Sequence, residues 1–142
     1  MATLVHASTV AIDGSGLLII GRSGAGKSSF ALRLMALGAT LVADDQTALS
    51  VQNGAVMARA PTRLQGMIEA RGIGLLRAPF LPETRLACVL DLDLAVTQRL
   101  PEPVTTDVMG IPLPLVSGQE GDHFPAAILC YLKHGRADVG TI

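Results

Sequence analysis

The stretch Gly21-Arg22-Ser23-Gly24-Ala25-Gly26-Lys27-Ser28 fits the pattern G-x-x-x-x-G-K-[ST] at every fixed position. The residue types suit one task. Glycines let the backbone curl until several N–H groups face a single anion, and a helix beginning there turns its positive end to the same anion. Lys27 adds a mobile charge for the β- and γ-phosphates of a nucleotide, and Ser28 a hydroxyl for a magnesium ion bridging them. The flanks fit this reading. Leu17–Ile20 is a short apolar run between Gly16 and Gly21, the pattern of a buried strand. From Ser28 to Leu37, Phe30, Leu32, Leu34, Met35 and Leu37 predict a helix, and Gly38 stops it. Strand, phosphate loop and helix predict an α/β fold: a mixed sheet with flanking helices, carrying a P-loop.

Acidic residues come next along the chain. Leu41–Ala43 predicts a strand that ends in Asp44 and Asp45. As a parallel neighbour of the phosphate-loop strand, it would bring both carboxylates to the same sheet edge, because carboxyl ends of parallel strands lie together. One carboxylate can then hold metal while the other accepts a proton from an attacking hydroxyl. Asp91, closing the apolar run Ala87–Leu90, competes for the metal role. Glu69 and Arg71 lie in a glycine-rich segment, where they form a compact polar site or a surface ion pair. His6 precedes a first strand and by itself reads as a packing or surface residue.

The remaining elements complete one domain over residues 1–142. Thr47–Val51 and Val56–Ala60 flank Asn53-Gly54, which predicts a hairpin. Residues 61–82 read as irregular. Leu86–Leu92 predicts a buried strand, Val108–Leu115 an edge strand after a proline-rich loop, and Pro125–Lys133 a helix ended by Gly135, with a frayed tail beyond. Eleven Lys and Arg against twelve Asp and Glu give a net charge of −1, which speaks against a nucleic-acid partner. No apolar run reaches the roughly 18 residues of a membrane span, and the N-terminus lacks the form of a secretory signal. Cys88 and Cys130, each in an apolar run, read as buried free thiols of a cytoplasmic protein.

Taken together, His6-Ala7-Ser8, the loop at 21–28, Leu41-Val42-Ala43-Asp44-Asp45 and Ile68-Glu69-Ala70-Arg71-Gly72-Ile73-Gly74 resemble the catalytic domain of the HPr kinase/phosphorylase family. That bacterial enzyme phosphorylates a serine of the phosphocarrier protein HPr. The resemblance spans about residues 4–93, with motifs in the family's order. It implies ATP and Mg2+ as cofactors and HPr, or a paralogue of it, as partner. It makes His6, Lys27 and Asp45 the catalytic residues, with Asp45 taking the serine proton. It implies metal ligation by Ser28 and Glu69, with Asp44 beside them, and places Arg71 in the family's signature segment.

Two departures qualify the expectation. Full-length members carry an N-terminal domain, so the chain reads as a short form. The family's C-terminal catalytic arginine has no counterpart in Val116–Phe124, so phosphorolysis of phosphoserine, and the homo-oligomer of long members, are less firmly implied than the kinase reaction. A P-loop kinase for a small metabolite and a nucleotide-binding sensor without turnover are the alternative classes.

Overall fold

A computed structural model describes residues 2–138. Its order is β1 (Thr3–Val5), β2 (Ser8–Ile12), β3 (Ser15–Ile20), α1 (Lys27–Ala36), β4 (Thr40–Ala43), β5 (Thr47–Gln52), β6 (Ala55–Arg59), a 3-10 turn (Thr62–Leu64), β7 (Met67–Ala70), β8 (Gly74–Arg77), β9 (Thr84–Asp91), β10 (Val104–Val108), β11 (Ile111–Ser117) and α2 (Phe124–His134). Nine strands form one curled sheet in the order β1-β5-β6-β9-β3-β2-β4, with β11 also on β9 and β10 beyond it; β7 and β8 form a separate hairpin.

Strand β3 is apolar without alternation because both its faces are covered. Leu17 and Ile19 pack with Phe30, Leu34, Phe124 and Ile128 under the two helices, and Leu18 packs on the opposite face with Leu49, Val56 and Val89. In β9 a bulge leaves Ala87 unpaired: Gly16 faces Leu86 and Leu17 faces Cys88. The extra residue turns Leu86 to the same face as Val89, while Cys88 and Leu90 enter the helical core.

The topology sets the site. β3, β9 and β11 run parallel, so the loops after Ile20, Asp91 and Ser117 leave one sheet edge together. β2 is antiparallel to both β3 and β4, so β4 also ends at that edge.

The sequence expectation was that β4 adjoins β3. Instead β2 lies between them, because the tight Asp13-Gly14 turn (φ 50° and 80°) folds β2 back onto β3 first. Residues 61–82 are more regular than expected, holding β7 and β8. The edge strand expected at Val108–Leu115 is broken by a turn at Met109-Gly110 (φ 52° and 85°), which makes β10 and β11 a hairpin. Cys88 is buried as expected, but Cys130 is exposed: α2 buries Phe124, Ile128 and Leu129, and position 130 falls on its other face. Asn53-Gly54 forms the expected hairpin turn between β5 and β6. The tail expected to fray lies partly outside the described residues.

Candidate active site at the phosphate loop

Between β3 and α1 the chain makes a tight concave loop. Gly24 and Gly26 adopt φ of 84° and 95°, values open to glycine at little cost, and Ala25 N–H closes a turn on the Arg22 carbonyl at 3.0 Å. α1 has no side-chain cap and no acid in its first turn. Its first N–H groups therefore face outward with the positive end of the helix, an arrangement suited to an anion. Lys27 is only 8 % exposed. Its Nζ donates to the Gly21 and Arg22 carbonyls at 2.8 and 3.0 Å, which holds the ammonium inside the curve of the loop. Arg22 turns outward. Its backbone N–H and its guanidinium both donate to Asp93, at 2.7 and 2.9 Å, so the loop is tied to the chain after β9.

Asp44 lies beneath α1 at 6 % exposure and is held by three donors. Ser8 Oγ and Ser28 Oγ each donate to Oδ1 at 2.7 Å, and Glu69 N–H donates to Oδ2 at 3.0 Å. A buried carboxylate survives when it is satisfied in this way. The acid paired with the Ser28 hydroxyl is thus Asp44. Asp91 instead accepts the Asp93 N–H at 2.9 Å and caps the turn after β9. Ser8 was given no role from the sequence. It is fully buried, and its partner is 36 positions away, so no local pattern marks it; nor does any pattern mark Asp93, whose partner Arg22 is 71 positions away.

Asp45 points the other way. Its φ is 66°, uncommon for a residue other than glycine, and Gln46 N–H bonds to the Asp44 carbonyl at 2.7 Å. That i to i+2 bond around a positive φ is a γ-turn of the strained kind. Strain of this sort concentrates at functional positions. The turn is over-determined by its neighbours: Ala7 N–H donates to the Asp45 carbonyl, Thr47 Oγ1 donates to the Ala7 carbonyl, and Thr9 Oγ1 in turn donates to Thr47. The result sets the Asp45 carboxylate 3.5 Å from His6 Nδ1, with the two side chains 65 % and 51 % exposed.

A cavity of about 200 Å³ collects His6, Ser8, Ser23, Gly24, Gly26, Lys27, Ser28, Asp45, Glu69 and Arg71. Of the residues expected at the site, Asp44 sits behind this cavity, and Gly21, Arg22 and Ala25 form the far side of the loop. Glu69 and Arg71 reach the cavity because Ala78 N–H bonds to the Gly66 carbonyl and Leu81 N–H to that of Leu41, which ties the β7–β8 hairpin beside β4. Among the described residues no three His, Cys, Asp or Glu side chains form a closed metal cage. The donors present, the Ser28 hydroxyl with the Asp44 and Glu69 carboxylates, are hard oxygens. They suit magnesium, which keeps few protein ligands and completes its shell with phosphate oxygens and water.

Fold and site together define a P-loop α/β domain with an acid–histidine pair beside its phosphate loop. The sequence profile of the HPr Serine kinase C-terminal domain matches residues 1–81, and the chain belongs to that family. HPr kinase/phosphorylase of Bordetella pertussis is 37% identical over 124 residues, covering 78% of this chain and 40% of the relative. That of Acidovorax is 40% identical over 126 residues, covering 78% and 39%. The chain thus spans about 40% of the length of these curated relatives. Among solved structures, the Hpr(Ser) kinase/phosphatase from Coxiella burnetii superposes with a TM-score of 0.80 at 23% identity, over 92% of this chain and 94% of that one; this likeness bears on the fold. No helix among the described residues is long and apolar enough to cross a membrane.

Proposed function

We propose that the chain is a single kinase domain that transfers the γ-phosphoryl group of ATP to a serine of the phosphocarrier protein HPr. The observation that carries this reading is the convergence of Lys27, Ser28, Asp45 and His6 on one cavity at the N-terminus of α1. The loop N–H groups and Lys27 bind the phosphates and offset their charge. Asp45 orients the serine hydroxyl and accepts its proton as the serine oxygen bonds to the γ-phosphorus. The bond from that phosphorus to the β-bridging oxygen breaks, and ADP leaves. His6 steadies the Asp45 carboxylate in the pose its strained turn presents. Ser28 and Glu69 are the residues to hold magnesium, with Asp44 fixing the Ser28 hydroxyl. Magnesium bound there neutralises phosphate charge. Catalysis in this scheme is chiefly positioning and electrostatics, as a loose transition state requires.

The test is incubation of the chain with labelled Mg-ATP and purified HPr, alongside HPr whose acceptor serine is replaced by alanine. Label on the first and none on the second is expected. Label on neither, with label on a small metabolite in the same mixture, would overturn the protein substrate.

A further inference from the structure

The β7–β8 hairpin has two unlike faces. Ile68 and Leu76 sit opposite each other and turn into the core with α1, so their neighbours on both strands turn outward. The outward face carries the pairs Met67–Arg77 and Glu69–Leu75. Ile73, in the turn, and Leu75 are 78 % and 64 % exposed, the most exposed large apolar side chains among the described residues.

Charge marks the same segment. From Arg59 to Arg77 the chain has four arginines, Arg59, Arg63, Arg71 and Arg77, against one acid, Glu69: a net charge of +3 within a chain of −1. All four are exposed, and none makes an ion pair or side-chain hydrogen bond among the described residues. An apolar centre with arginine around it is the composition of a contact surface. Glu69 and Arg71 also border the cavity that holds Lys27 and Asp45, so the outward face of the hairpin reaches the rim of the candidate active site.

We infer that this face is where the acceptor protein docks, and that the matching surface on the acceptor is an apolar spot bordered by carboxylates close to the target serine. The inference rests on the protein-serine kinase reading above. An acceptor seated on the hairpin lies against the cavity rim, within reach of Asp45. The guanidinium fork of Arg77 pairs two-point with a carboxylate, and Ile73 with Leu75 supplies the centre that loses water on contact. A second copy of this chain is a poorer occupant. In a two-fold contact the same patch meets itself, and arginines would face arginines.

The experiment measures steady-state transfer from Mg-ATP to HPr by the full chain, by Leu75→Ser, by Arg77→Ala and by Arg77→Lys, varying each substrate in turn. Leu75→Ser and Arg77→Ala are each expected to raise KM for HPr roughly five- to tenfold. Both should keep kcat at saturating HPr, and KM for Mg-ATP, as in the unaltered chain. Arg77→Lys keeps the charge without the fork and should recover part of the loss. Rising ionic strength should raise KM for HPr in the unaltered chain, and less so in Arg77→Ala. An unchanged KM for HPr in both Leu75→Ser and Arg77→Ala, or a fall in kcat with KM unchanged, would overturn the inference. So would sedimentation showing a dimer in the unaltered chain and a monomer in either variant, which would make the face a contact between copies. No transfer to HPr by the unaltered chain, with Mg-ATP binding intact, would instead remove the protein-serine reading, and this docking face with it.

Discussion

Ser8 Oγ and Ser28 Oγ share one acceptor, each lying 2.7 Å from Oδ1 of Asp44. The first serine belongs to β2, the second to α1, so a single carboxylate oxygen fastens the sheet edge to the helix that carries the phosphate loop. Ser8→Ala removes one of these donors from a buried charge. The expected cost is about 1.5–3 kcal/mol of stability, read from urea unfolding. Because the Ser28 hydroxyl then loses its fixed partner geometry, the magnesium concentration for half-maximal transfer should rise several-fold. A Ser8→Ala variant with unaltered magnesium dependence would confine Ser8 to a structural role.

Asp45 separates stability from activity. At φ 66° any residue with a Cβ is strained, aspartate less than most. Asp45→Ala should therefore be less stable than Asp45→Gly, by about 1 kcal/mol, reversing the usual order of these two residues. Both should lose transfer to HPr while keeping Mg-ATP binding, as should Asp45→Asn, which preserves shape but cannot accept the proton. Chemical denaturation together with a transfer assay checks each part. Alanine proving the more stable of the two would mean that the γ-turn relaxes at no cost.

Lys27→Ala should abolish transfer and weaken Mg-ATP binding. Lys133, in α2, is the only other lysine in the chain. Isothermal titration and turnover measured together decide it: unchanged values of both would rule out a phosphate-binding role for the loop.

The two thiols should differ sharply. Cys130 is exposed and Cys88 fully buried, so a thiol reagent should label one site on the native chain and two after unfolding. Burial pushes the Cys88 thiol from its ordinary 9.0 up to about 12, with the Arg136 charge pulling slightly the other way. The folded state thus keeps a proton that the unfolded state sheds above pH 9. Stability from this group is intact below about pH 9 and falls as pH rises toward 12, by roughly 1.4 kcal/mol per unit. Urea midpoints measured at pH 8, 9 and 10 should show the decline beginning near pH 9.

Phosphorolysis should be weak. Val116–Phe124 carries no Arg or Lys and adds Glu120 and Asp122, so phosphate and phosphoserine would have to approach each other with only Lys27 and Arg71 as the Lys and Arg side chains lining their cavity. Phosphoserine-HPr with millimolar phosphate and a pyrophosphate readout tests this; release as fast as forward transfer would contradict it.

The phosphate loop, its strand and its helix were legible because they are local: glycine spacing and apolar periodicity are set within twenty residues. Asn53-Gly54 was legible for the same reason. Met109-Gly110 was not, since methionine seldom occupies a left-handed turn position and only the pairing of β10 with β11 holds it there. The acid pair was expected at the correct edge through an incorrect neighbour. With β2 inserted, β4 still runs parallel to β3, so direction survived where adjacency did not. The partners of Asp44 and Arg22 escaped because they depend on which distant segments meet, and side-chain periodicity carries no information about that.

The tie between Arg22 and Asp93 joins residues 71 positions apart, and it has a consequence for how the chain matures. Every motif of the site has been synthesised by residue 74, yet β9, the strand that flanks β3 and leads to Asp93, begins only at Thr84. A nascent chain, or a fragment cut after residue 81, would hold the complete set of motifs around a central strand paired with β2 alone and an untethered loop. Closing so long a span is slow compared with making a local turn. Affinity for the nucleotide should therefore arise late and in one step, when β9 docks, rather than accumulate as each motif emerges.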